Sequence, residues 1–482
     1  MRTKRGVERM LGTCAAWAGV ATWVSLALAT GCGSKANDGA GAGGSAASAS
    51  GGKGGKGGSS KGGTGGSGTG GSGTSGDAGS GDTTGEAGNG SGAQGGGTTP
   101  LDGTELDPGA DGPGFDGVTL NGPELVRAVT GCDAFDPTSG TLALTLDAMT
   151  SAAIIRVSAG VVSVNSKACV AADGKTKATA DAVKLITVTG GAEDDAVYVD
   201  GSGAYGKDLL AGNGFDIELG DGNDMLVILG SSDSDDIRLG ADGDVTVCDF
   251  NGDLVPDVRA SGPEMIVVST GPMPDTIMGD GKDLGLAPVA VPMKLFGGGA
   301  NDLLLGGAGN DEYNGGIGND TMLAGRDPGG SDVFAGNDGE DFVDYAGRTA
   351  PITVTLAGGA DDGEANEYDN VDSSVENVRG GDGDDVLTGG SADNKLWGGA
   401  GNDVIYGGDG DDFIYGGDGN DTLDGGNGDD FIYGDDGDDV LTGDAGDDLL
   451  DGGNGSNHLD GGDGDADICV PTASDTAVAC EL

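Results

Sequence analysis

Ten nine-residue units follow one another without a gap over residues 380–469, and this repeat constrains the fold more than any other feature. Each unit approximates Gly-Gly-x-Gly-x-Asp-x-U-x, in which U is a large apolar residue, and residues 398–406 are a clean copy. A fixed short period is typical of a solenoid. The glycines favour a tight turn over the first six residues, and the last three are enough for one short strand. The repeat therefore predicts an all-β solenoid.

The turn residues predict a metal site. Glycines at positions 1, 2 and 4 allow several carbonyl groups to approach one point, and the aspartate at position 6 adds a carboxylate. Hard oxygen donors suit Ca²⁺ better than zinc or copper. Residues 380–469 contain 25 Asp, no Glu, no Arg and one Lys, so the segment repels itself without a counter-cation. We expect folding and Ca²⁺ binding to be one event; the alternatives are an unfolded acidic tail and a metal-free solenoid.

The array resembles the RTX, or haemolysin-type, calcium-binding nonapeptide repeat. The resemblance implies a parallel β-roll with two repeats per coil and Ca²⁺ held between the turns of repeats n and n+2. The sixth-position carboxylates it implies as metal ligands are Asp302, Asp311, Asp320, Asp341, Asp385, Asp403, Asp412, Asp421, Asp430, Asp439 and Asp448. The turn glycines it implies beside them are Gly399, Gly401, Gly408, Gly410, Gly417, Gly419, Gly426 and Gly428.

The repeats divide the C-terminal half into segments. A first block covers residues 293–344, a strand-rich interruption covers 345–379, the main β-roll covers 380–470, and a C-terminal cap covers 471–482. We interpret the interruption as longer coils of the same solenoid. Asn394 and Asn457 replace the sixth-position aspartate and Ala466 occupies that position in the last unit, so those turns are expected to bind weakly or to serve as ends.

Residues 115–292 form a β-rich region of short apolar runs separated by polar turns, such as 142–146 and 185–188. The turn Gly220-Asp221-Gly222-Asn223-Asp224 is similar to the repeat. We interpret this region as a degenerate, solenoid-like array that leads into the regular one; a separate β-sandwich is the alternative.

A second candidate metal loop lies inside this region. Asp249, Asn251, Asp253 and Asp257 place oxygen donors at positions 1, 3, 5 and 9, which is typical of a D-x-N-x-D calcium loop. Leu254 stands where the turn-making glycine is expected, and no Glu follows at position 12. The alternative is a polar turn between strands.

The N-terminal 31 residues predict a lipoprotein-type signal peptide, with a basic start followed by the apolar, uncharged stretch 11–29. Leu28-Ala29-Thr30-Gly31-Cys32 is similar to a lipoprotein box, which would make Cys32 the lipidation site and the anchor to a membrane. The alternatives are an ordinary cleaved signal, with secretion, and a retained helix. Residues 32–114 begin with that cysteine and continue as a disordered Gly/Ser-rich linker.

Cysteine use fits an exported protein. Cys469 and Cys480 bracket the last repeat and are the first candidate disulfide, Cys132 and Cys169 are the second, and Cys248 is left over.

Aromatic residues recur on one predicted face of the main block. Repeats alternate between two sheets, which aligns Trp397, Phe413, Tyr415, Phe431 and Tyr433 on one of them. Rungs about 4.8 Å apart would stack these rings; a contact surface for carbohydrate or protein is the alternative.

These features favour a calcium-binding surface protein over an enzyme. His458 is the only histidine, which disfavours zinc-protease and Ser-His-Asp chemistry, and the net charge of −58 argues against nucleic acid. We predict an exported, lipid-anchored protein of the outer membrane with a structural or adhesive role. The alternatives are a calcium-dependent module that binds surface polysaccharide or another cell-surface protein, and a β-solenoid polysaccharide lyase or epimerase.

Overall fold

A computed structural model describes residues 132, 134–146, 151–201, 214–325, 329–356 and 358–481. These residues form 34 strands, and no helix among them is long and apolar enough to cross a membrane. The all-β prediction is confirmed. The predicted signal peptide, Cys32 and the linker lie outside the described residues.

The strands of residues 141–344 carry the upstream region and the first repeat block. They are β1 (Thr141–Thr145), β2 (Ser151–Ser158), β3 (Val161–Val164), β4 (Lys167–Ala168), β5 (Leu185–Thr189), β6 (Asp195–Asp200), β7 (Phe215–Glu218), β8 (Met225–Leu229), β9 (Asp236–Asp242), β10 (Val245–Asp249), β11 (Val258–Ser261), β12 (Met265–Ser269), β13 (Thr276–Met278), β14 (Met293–Gly299), β15 (Leu303–Leu305), β16 (Glu312–Ile317), β17 (Thr321–Leu323), β18 (Val333–Asp338) and β19 (Phe342–Asp344).

The remaining strands carry the interruption, the main block and the cap. They are β20 (Ile352–Thr355), β21 (Gly363–Glu364), β22 (Asn370–Val371), β23 (Asn377–Arg379), β24 (Val386–Thr388), β25 (Lys395–Ala400), β26 (Val404–Asp409), β27 (Phe413–Asp418), β28 (Thr422–Asn427), β29 (Phe431–Asp436), β30 (Val440–Ala445), β31 (Leu449–Asp451), β32 (His458–Asp460), β33 (Ile468–Val470) and β34 (Thr476–Val478).

One long sheet runs through the described chain, in the order β1-β5-β7-β11-β10-β9-β13-β15-β17-β19-β23-β25-β27-β29-β31-β33. A ten-stranded sheet has the order β22-β18-β16-β14-β12-β8-β6-β2-β3-β4, and an eight-stranded sheet has the order β21-β20-β24-β26-β28-β30-β32-β34. In the main block, successive units alternate between the long and the eight-stranded sheet. Each coil pairs in parallel with the coil 18 residues further on, as Trp397 with Tyr415 and Tyr406 with Asp424. Two repeats therefore make one coil.

Inward-facing side chains of these coils form one core. Leu396, Ile405, Ile414 and Leu423 are each at most 1% exposed, and the cluster that contains them continues from Cys132 to Cys469. Upstream, β6, β8, β12 and β14 also pair in parallel, and only β9, β10 and β11 make an antiparallel insertion among the long-sheet strands of this region. The solenoid interpretation of the upstream region is confirmed for its described residues.

The interruption, residues 345–379, lies where one of the two shorter sheets ends and the other begins. The long sheet continues across it through β19, β23 and β25. The ten-stranded sheet ends at β22 and the eight-stranded sheet begins at β21 and β20. Arg348 is 1% exposed there, and its guanidinium donates to Glu367 at 2.6 Å and to the Ala324 carbonyl at 2.9 Å. A buried cation paired in this way fixes the junction, because removing either partner would leave a charge alone in the core.

A disulfide lies near each end of the described solenoid. Cys132 is bonded to Cys169 and Cys469 to Cys480, which are the two pairs that the sequence suggested. Cys248 is a buried free thiol. The bonds close the ends, where exposed strand edges would otherwise favour association.

Candidate metal centre

The sixth-position carboxylates form a hydrogen-bonded ladder along the turns. Oδ1 of Asp403 accepts the N–H of Asp385 at 2.8 Å, and the N–H of Asp403 in turn donates to Oδ1 of Asp421 at 2.8 Å. The opposite row of turns repeats the pattern, as in the 2.8 Å bond from the N–H of Asp412 to Asp430. The spacing of 18 residues is the length of one coil, so each carboxylate links two coils.

The second oxygen of most of these carboxylates is buried and has no hydrogen-bond donor among the described residues. This holds for nine of the eleven predicted ligands, namely Asp302, Asp320, Asp341, Asp403, Asp412, Asp421, Asp430, Asp439 and Asp448. Each of the nine side chains is at most 3% exposed. An anionic oxygen buried without a partner is costly, and a cation is the partner that would satisfy it.

Burial accordingly disfavours the charged form. Desolvation raises the pKa of Asp403, Asp412 and Asp448 to about 7 and that of Asp439 to about 6, from an ordinary value of 3.8. Neighbouring aspartates in the same turn and in adjacent coils raise each pKa further.

Carbonyl oxygens lie beside the unpartnered carboxylate oxygens. A Cβ atom added to Gly398 would lie 2.2 Å from Oδ2 of Asp403 and 2.6 Å from the carbonyl oxygen of Gly416, one coil further on. The first glycine thus leaves room for two oxygens from successive coils to face a shared space. No group of three or more His, Cys, Asp or Glu side chains suited to a metal occurs in the described ranges. A Ca²⁺ ion held here would take turn carbonyl oxygens together with the carboxylate oxygen, and both are ligands that Ca²⁺ accepts.

The second and fourth turn residues adopt a backbone that favours glycine. Gly399 has φ of 116° and Gly401 has φ of 131°. A Cβ on Gly419 would lie 1.4 Å from the carbonyl oxygen of Gly401. The same left-handed conformation occurs at all the predicted turn glycines, Gly399, Gly401, Gly408, Gly410, Gly417, Gly419, Gly426 and Gly428.

Asp311 and Asp385 differ from the other nine. Oδ2 of Asp311 accepts the N–H of Gly307 at 2.6 Å, and Oδ2 of Asp385 accepts the N–H of Gly381 at 2.7 Å. Both oxygens of each carboxylate accept backbone N–H groups, since Met293 and Ile352 donate to the others.

Two asparagines show how the fold satisfies a turn without a carboxylate. Nδ2 of Asn457 donates to the carbonyl of Gly452 at 2.8 Å, while its Oδ1 accepts the N–H of Asp439 at 2.9 Å. Nδ2 of Asn394 donates to the carbonyl of Glu376 at 2.8 Å. In Asn457 the amide nitrogen thus occupies the place where the aspartates have an unpartnered oxygen. In Asn394 that place is taken by Oδ1, which accepts the N–H of Gly390 at 2.7 Å.

The comparison with known families agrees with this geometry. Residues 294–322, 379–414, 397–432, 406–441 and 433–466 match the model of the RTX calcium-binding nonapeptide repeat. These segments are RTX calcium-binding repeats. None of the curated proteins compared matches the chain. Asp341 lies outside the matched ranges, yet its turn has the RTX geometry.

The ladder also extends beyond the predicted metal ligands, to Asp475, to Asp275 and to the turn ending at Asp224 that the sequence analysis found similar to the repeat. Asp475 accepts the N–H of Asn457 at 2.9 Å beyond the last RTX repeat. Upstream, Asp302 accepts from Asp275 at 2.8 Å and Asp224 accepts from Asp195 at 2.7 Å. Irregular coil lengths hide these positions from a nine-residue pattern, although glycines at positions 2 and 4 precede Asp224.

The second candidate loop has a different arrangement from the RTX turns. The structure brings Asp249, Asn251 and Asp257 together: Oδ2 of Asp249 accepts the N–H of Leu254 at 2.6 Å, and Asp257 accepts from Nδ2 of Asn251 at 3.0 Å. Asp253 is exposed and accepts the N–H of Val255 at 2.9 Å. The loop is held by its own hydrogen bonds, and metal binding there stays a prediction.

The predicted aromatic residues lie on the outer face of the long sheet and are half-buried. Trp397 stacks on Tyr415 with ring centres 5.7 Å apart, Tyr415 stacks on Tyr433 at 5.1 Å, and Phe413 stacks on Phe431 at 4.8 Å. The ring planes of each pair are within 8° of parallel, so each ring covers a face of its neighbour. This favours stacking between RTX coils over sugar binding, which needs a free ring face.

Proposed function

We propose that this chain is an exported calcium-binding protein whose RTX repeats fold on binding Ca²⁺ and serve a structural or adhesive role at the cell surface, where a lipid on Cys32 anchors it. The observation that supports this most strongly is the row of nine buried carboxylate oxygens with no donor in the described chain. A fold that buries these anions one coil apart is self-repulsive, and Ca²⁺ bound between coils removes the repulsion.

Export supplies the condition for this coupling. In a compartment poor in Ca²⁺ the repeats stay unfolded. Each unit buries only about one apolar side chain, and this burial alone does not stabilise the fold. An unfolded chain passes a narrow channel. Outside, abundant Ca²⁺ binds the native turns and shifts the equilibrium towards the β-roll by mass action. The net charge of −58 then keeps the folded protein soluble at the surface.

A non-catalytic role is consistent with the chemistry of the repeats. The single histidine, His458, lies on an exposed strand position, and its Nδ1 is 2.8 Å from the hydroxyl of Thr476. The matched segments belong to a calcium-binding nonapeptide repeat. The surface that this repeat displays is therefore the part to test for adhesion.

Circular dichroism of the purified chain during a Ca²⁺ titration tests the folding step, with Mg²⁺ as the control. We expect a cooperative gain of β-structure with Ca²⁺ only, since Mg²⁺ demands a near-octahedral, largely hydrated shell. A β-rich spectrum in chelator that Ca²⁺ does not change would refute the proposal.

Labelling of cells with a radioactive fatty acid tests the anchor. We expect the native chain to carry the label and to associate with membranes, and the Cys32→Ala variant to do neither. The Ca²⁺ titration followed by circular dichroism should be the same for both chains. Attachment of cells to one another in Ca²⁺, compared between native and deletion strains, then tests the adhesive role.

A further inference from the structure

The outer face of the long sheet carries little charge from β23 to the C-terminal end. Residues 380–469 contain 25 Asp, yet only Lys395 and Asp451 are charged among the ten outward positions of β25, β27, β29, β31 and β33. Carboxylates instead line the adjoining turns, as at Asp418 and Asp436, which are exposed. We call the outward residues of these five strands and of β23 the aromatic face. A chain with a net charge of −58 can approach a second copy more closely at this face than at its turns.

Stacking between coils does not explain the apolar residues at the C-terminal end of the aromatic face. β33 is the last strand of the long sheet, and its outward residues Ile468 and Val470 are 44% and 46% exposed. Cys469 lies between them and faces inward, where it is bonded to Cys480. The stacked aromatic residues also keep part of their surface exposed. A contiguous sheet face rich in Trp, Tyr, Phe and aliphatic side chains is typical of a protein–protein interface.

One row of the aromatic face has a cation at one end and an anion at the other. Cross-strand pairing orders Arg379, Trp397, Tyr415, Tyr433 and Asp451 one coil apart. Tyr415 is the middle residue, and the two charged residues lie two coils to either side of it. When a second copy packs face to face about a two-fold axis that passes Tyr415 along the strand direction, each Arg379 lies opposite the Asp451 of the other copy. The row is therefore complementary to itself.

Arg379 and Asp451 both keep groups that a second chain can contact. Nε of Arg379 donates to Oδ1 of Asp344 at 3.0 Å and Nη2 donates to Oδ2, while 36% of the arginine side chain stays exposed. A guanidinium has five N–H donors, so Nη1 is left for a further carboxylate. Oδ1 of Asp451 accepts the N–H of Gly453 at 3.1 Å, which leaves Oδ2 for the arginine. The contact between copies is then a charge-assisted hydrogen bond.

We propose that the aromatic face binds a second copy of this chain, as an antiparallel pair with Tyr415 at its two-fold axis. The ring edges, Ile468 and Val470 supply the apolar contact, and Arg379 with Asp451 fixes the register. Ten outward side chains from five strands are fewer than the roughly 20 to 30 residues per side of a standard interface, so a single pair associates weakly. Many such pairs between two surfaces hold together through avidity.

The antiparallel sense deepens the adhesive role and rests on the proposed function. In such a pair the N-terminal ends of the two solenoids point in opposite directions. Residues 33–131 lie between Cys32, the proposed lipid site, and Cys132, the first described residue, so the two anchors can lie in facing membranes. The partner on the neighbouring cell is then the same protein, and the adhesion is homophilic.

Chemical cross-linking of the full chain in Ca²⁺ tests the pair. Packed sheets lie about 10 Å apart, which is too far for a disulfide, so a short bis-maleimide is the cross-linker. Tyr415→Cys puts a thiol at the axis and should give about tenfold more covalent dimer than Tyr406→Cys, because the pair holds its thiols at high effective concentration. Tyr406 is the matched position, since it is 44% exposed on the outer face of the eight-stranded sheet. The native cysteines are common to both variants.

Two further cysteine variants test the register. About the same axis, Trp397 of one copy lies opposite Tyr433 of the other. A mixture of Trp397→Cys and Tyr433→Cys should therefore cross-link about tenfold more than either variant alone. In a parallel pair each residue would meet its own counterpart. Cross-linking of the single variants with no gain on mixing would overturn the antiparallel arrangement.

A substitution at Ile468 tests the aromatic face without removing a ring. Ile468→Asp should raise the concentration for half-association in analytical sedimentation about tenfold, because contact would bury the new charge. Val440→Asp is the matched control and should leave association unchanged, since Val440 is 40% exposed on the opposite sheet. Circular dichroism in Ca²⁺ checks that both variants fold.

Two results would overturn the pair while the proposed function stands. One is a native chain that folds with Ca²⁺ but stays monomeric in sedimentation up to about 1 mM. The other is equal cross-linking of Tyr415→Cys and Tyr406→Cys. If the circular dichroism ignores Ca²⁺, the folding step of the proposed function fails, and the cross-linking still decides the pair.

Mixed populations of labelled cells test the homophilic adhesion. Cells with the native chain should attach to one another in Ca²⁺ and should not attach to cells from which the chain is deleted. Equal attachment of native cells to both populations would show that the partner is a different molecule and would overturn the homophilic role.

Discussion

Strands β6 and β8 of the upstream coils bury every side chain, whereas β27 and β28 of the RTX block bury Ile414 and Leu423 and leave their neighbours partly or fully exposed. The turn carboxylates of the two regions differ in how completely they are hydrogen-bonded. Upstream, Asp235 accepts the backbone N–H and the hydroxyl of Ser231, and Asp275 accepts the N–H groups of Asp235 and Gly271. Nine of the RTX aspartates instead leave one oxygen without a donor in the described residues. We therefore expect one solenoid to be stabilised in two ways, by apolar burial where the turn carboxylates have donors and by a bound cation where they do not.

Removal of Ca²⁺ should produce the largest difference between the upstream coils and the RTX block. In chelator we expect the backbone amides of β25–β30 to exchange freely and those of β6, β8 and β12 to stay protected. Each Ca²⁺ site adds about 2.7 kcal/mol at one hundred times its dissociation constant, and the RTX block loses this at every turn. Hydrogen exchange of the full chain measures both regions together, and equal loss of protection in the two would contradict the distinction.

Carboxylates with one unpartnered oxygen and carboxylates with donors at both oxygens should respond differently to the same substitution. Asp421→Asn should raise the Ca²⁺ midpoint of folding about tenfold, which is about 1.4 kcal/mol, because a charged ligand is lost. Asp385→Asn should lower stability equally in Ca²⁺ and in chelator, since an amide nitrogen replaces one of the two oxygens that accept the N–H groups of Gly381 and Ile352. Thermal unfolding at several Ca²⁺ concentrations separates these results; a Ca²⁺-specific effect of Asp385→Asn would show that its carboxylate binds the ion.

The pH dependence of the RTX block should change sign with Ca²⁺. Without metal, burial holds the pKa of Asp403 and Asp412 at about 7, above the ordinary value of 3.8, so the folded state binds more protons than the unfolded state between these values. Stability of the metal-free block therefore rises as the pH falls from about 8 towards 4. With Ca²⁺ bound the carboxylates must be ionised, so acid weakens binding.

Circular dichroism at about pH 5 and pH 8, with and without Ca²⁺, measures both trends. A metal-free block that gains no β-structure on acidification would show that protonation does not replace the cation.

The smallest effect is expected at the aromatic face. Tyr415→Leu should lower the free energy of unfolding in Ca²⁺ by about 1 kcal/mol, because two ring stacks are lost. Tyr406→Leu on the opposite face is the matched control, since Tyr406 is 44% exposed. A surface change of that kind should stay within about 0.5 kcal/mol. Equal effects of the two substitutions in chemical denaturation would argue against a structural role for the stack.

The regular block could be predicted because each coil is one period long and places identical residues at identical depths. Of the upstream turns only those that keep the glycines, such as residues 220–224, could be recognised, since successive ladder aspartates there lie 27, 29 and 40 residues apart. The sequence also did not show which turns have a left-handed residue at the second position. Gly381 and Gly399 occupy the same motif position, but Gly381 stacks on Arg348 and Gly399 stacks on a glycine turn. The neighbouring coil, not the motif, selects the backbone conformation.

The 18-residue register limits how such an array can change in length. Deleting or duplicating 18 residues of the main block restores every pairing, because Trp397 meets Tyr415 and Tyr415 meets Tyr433 in the same way. A change of nine residues would move every later unit to the other sheet, separate the aromatic rows and exchange the sheets of Cys469 and of strand β34. Inheritable length variants of this protein should therefore differ by whole pairs of repeats.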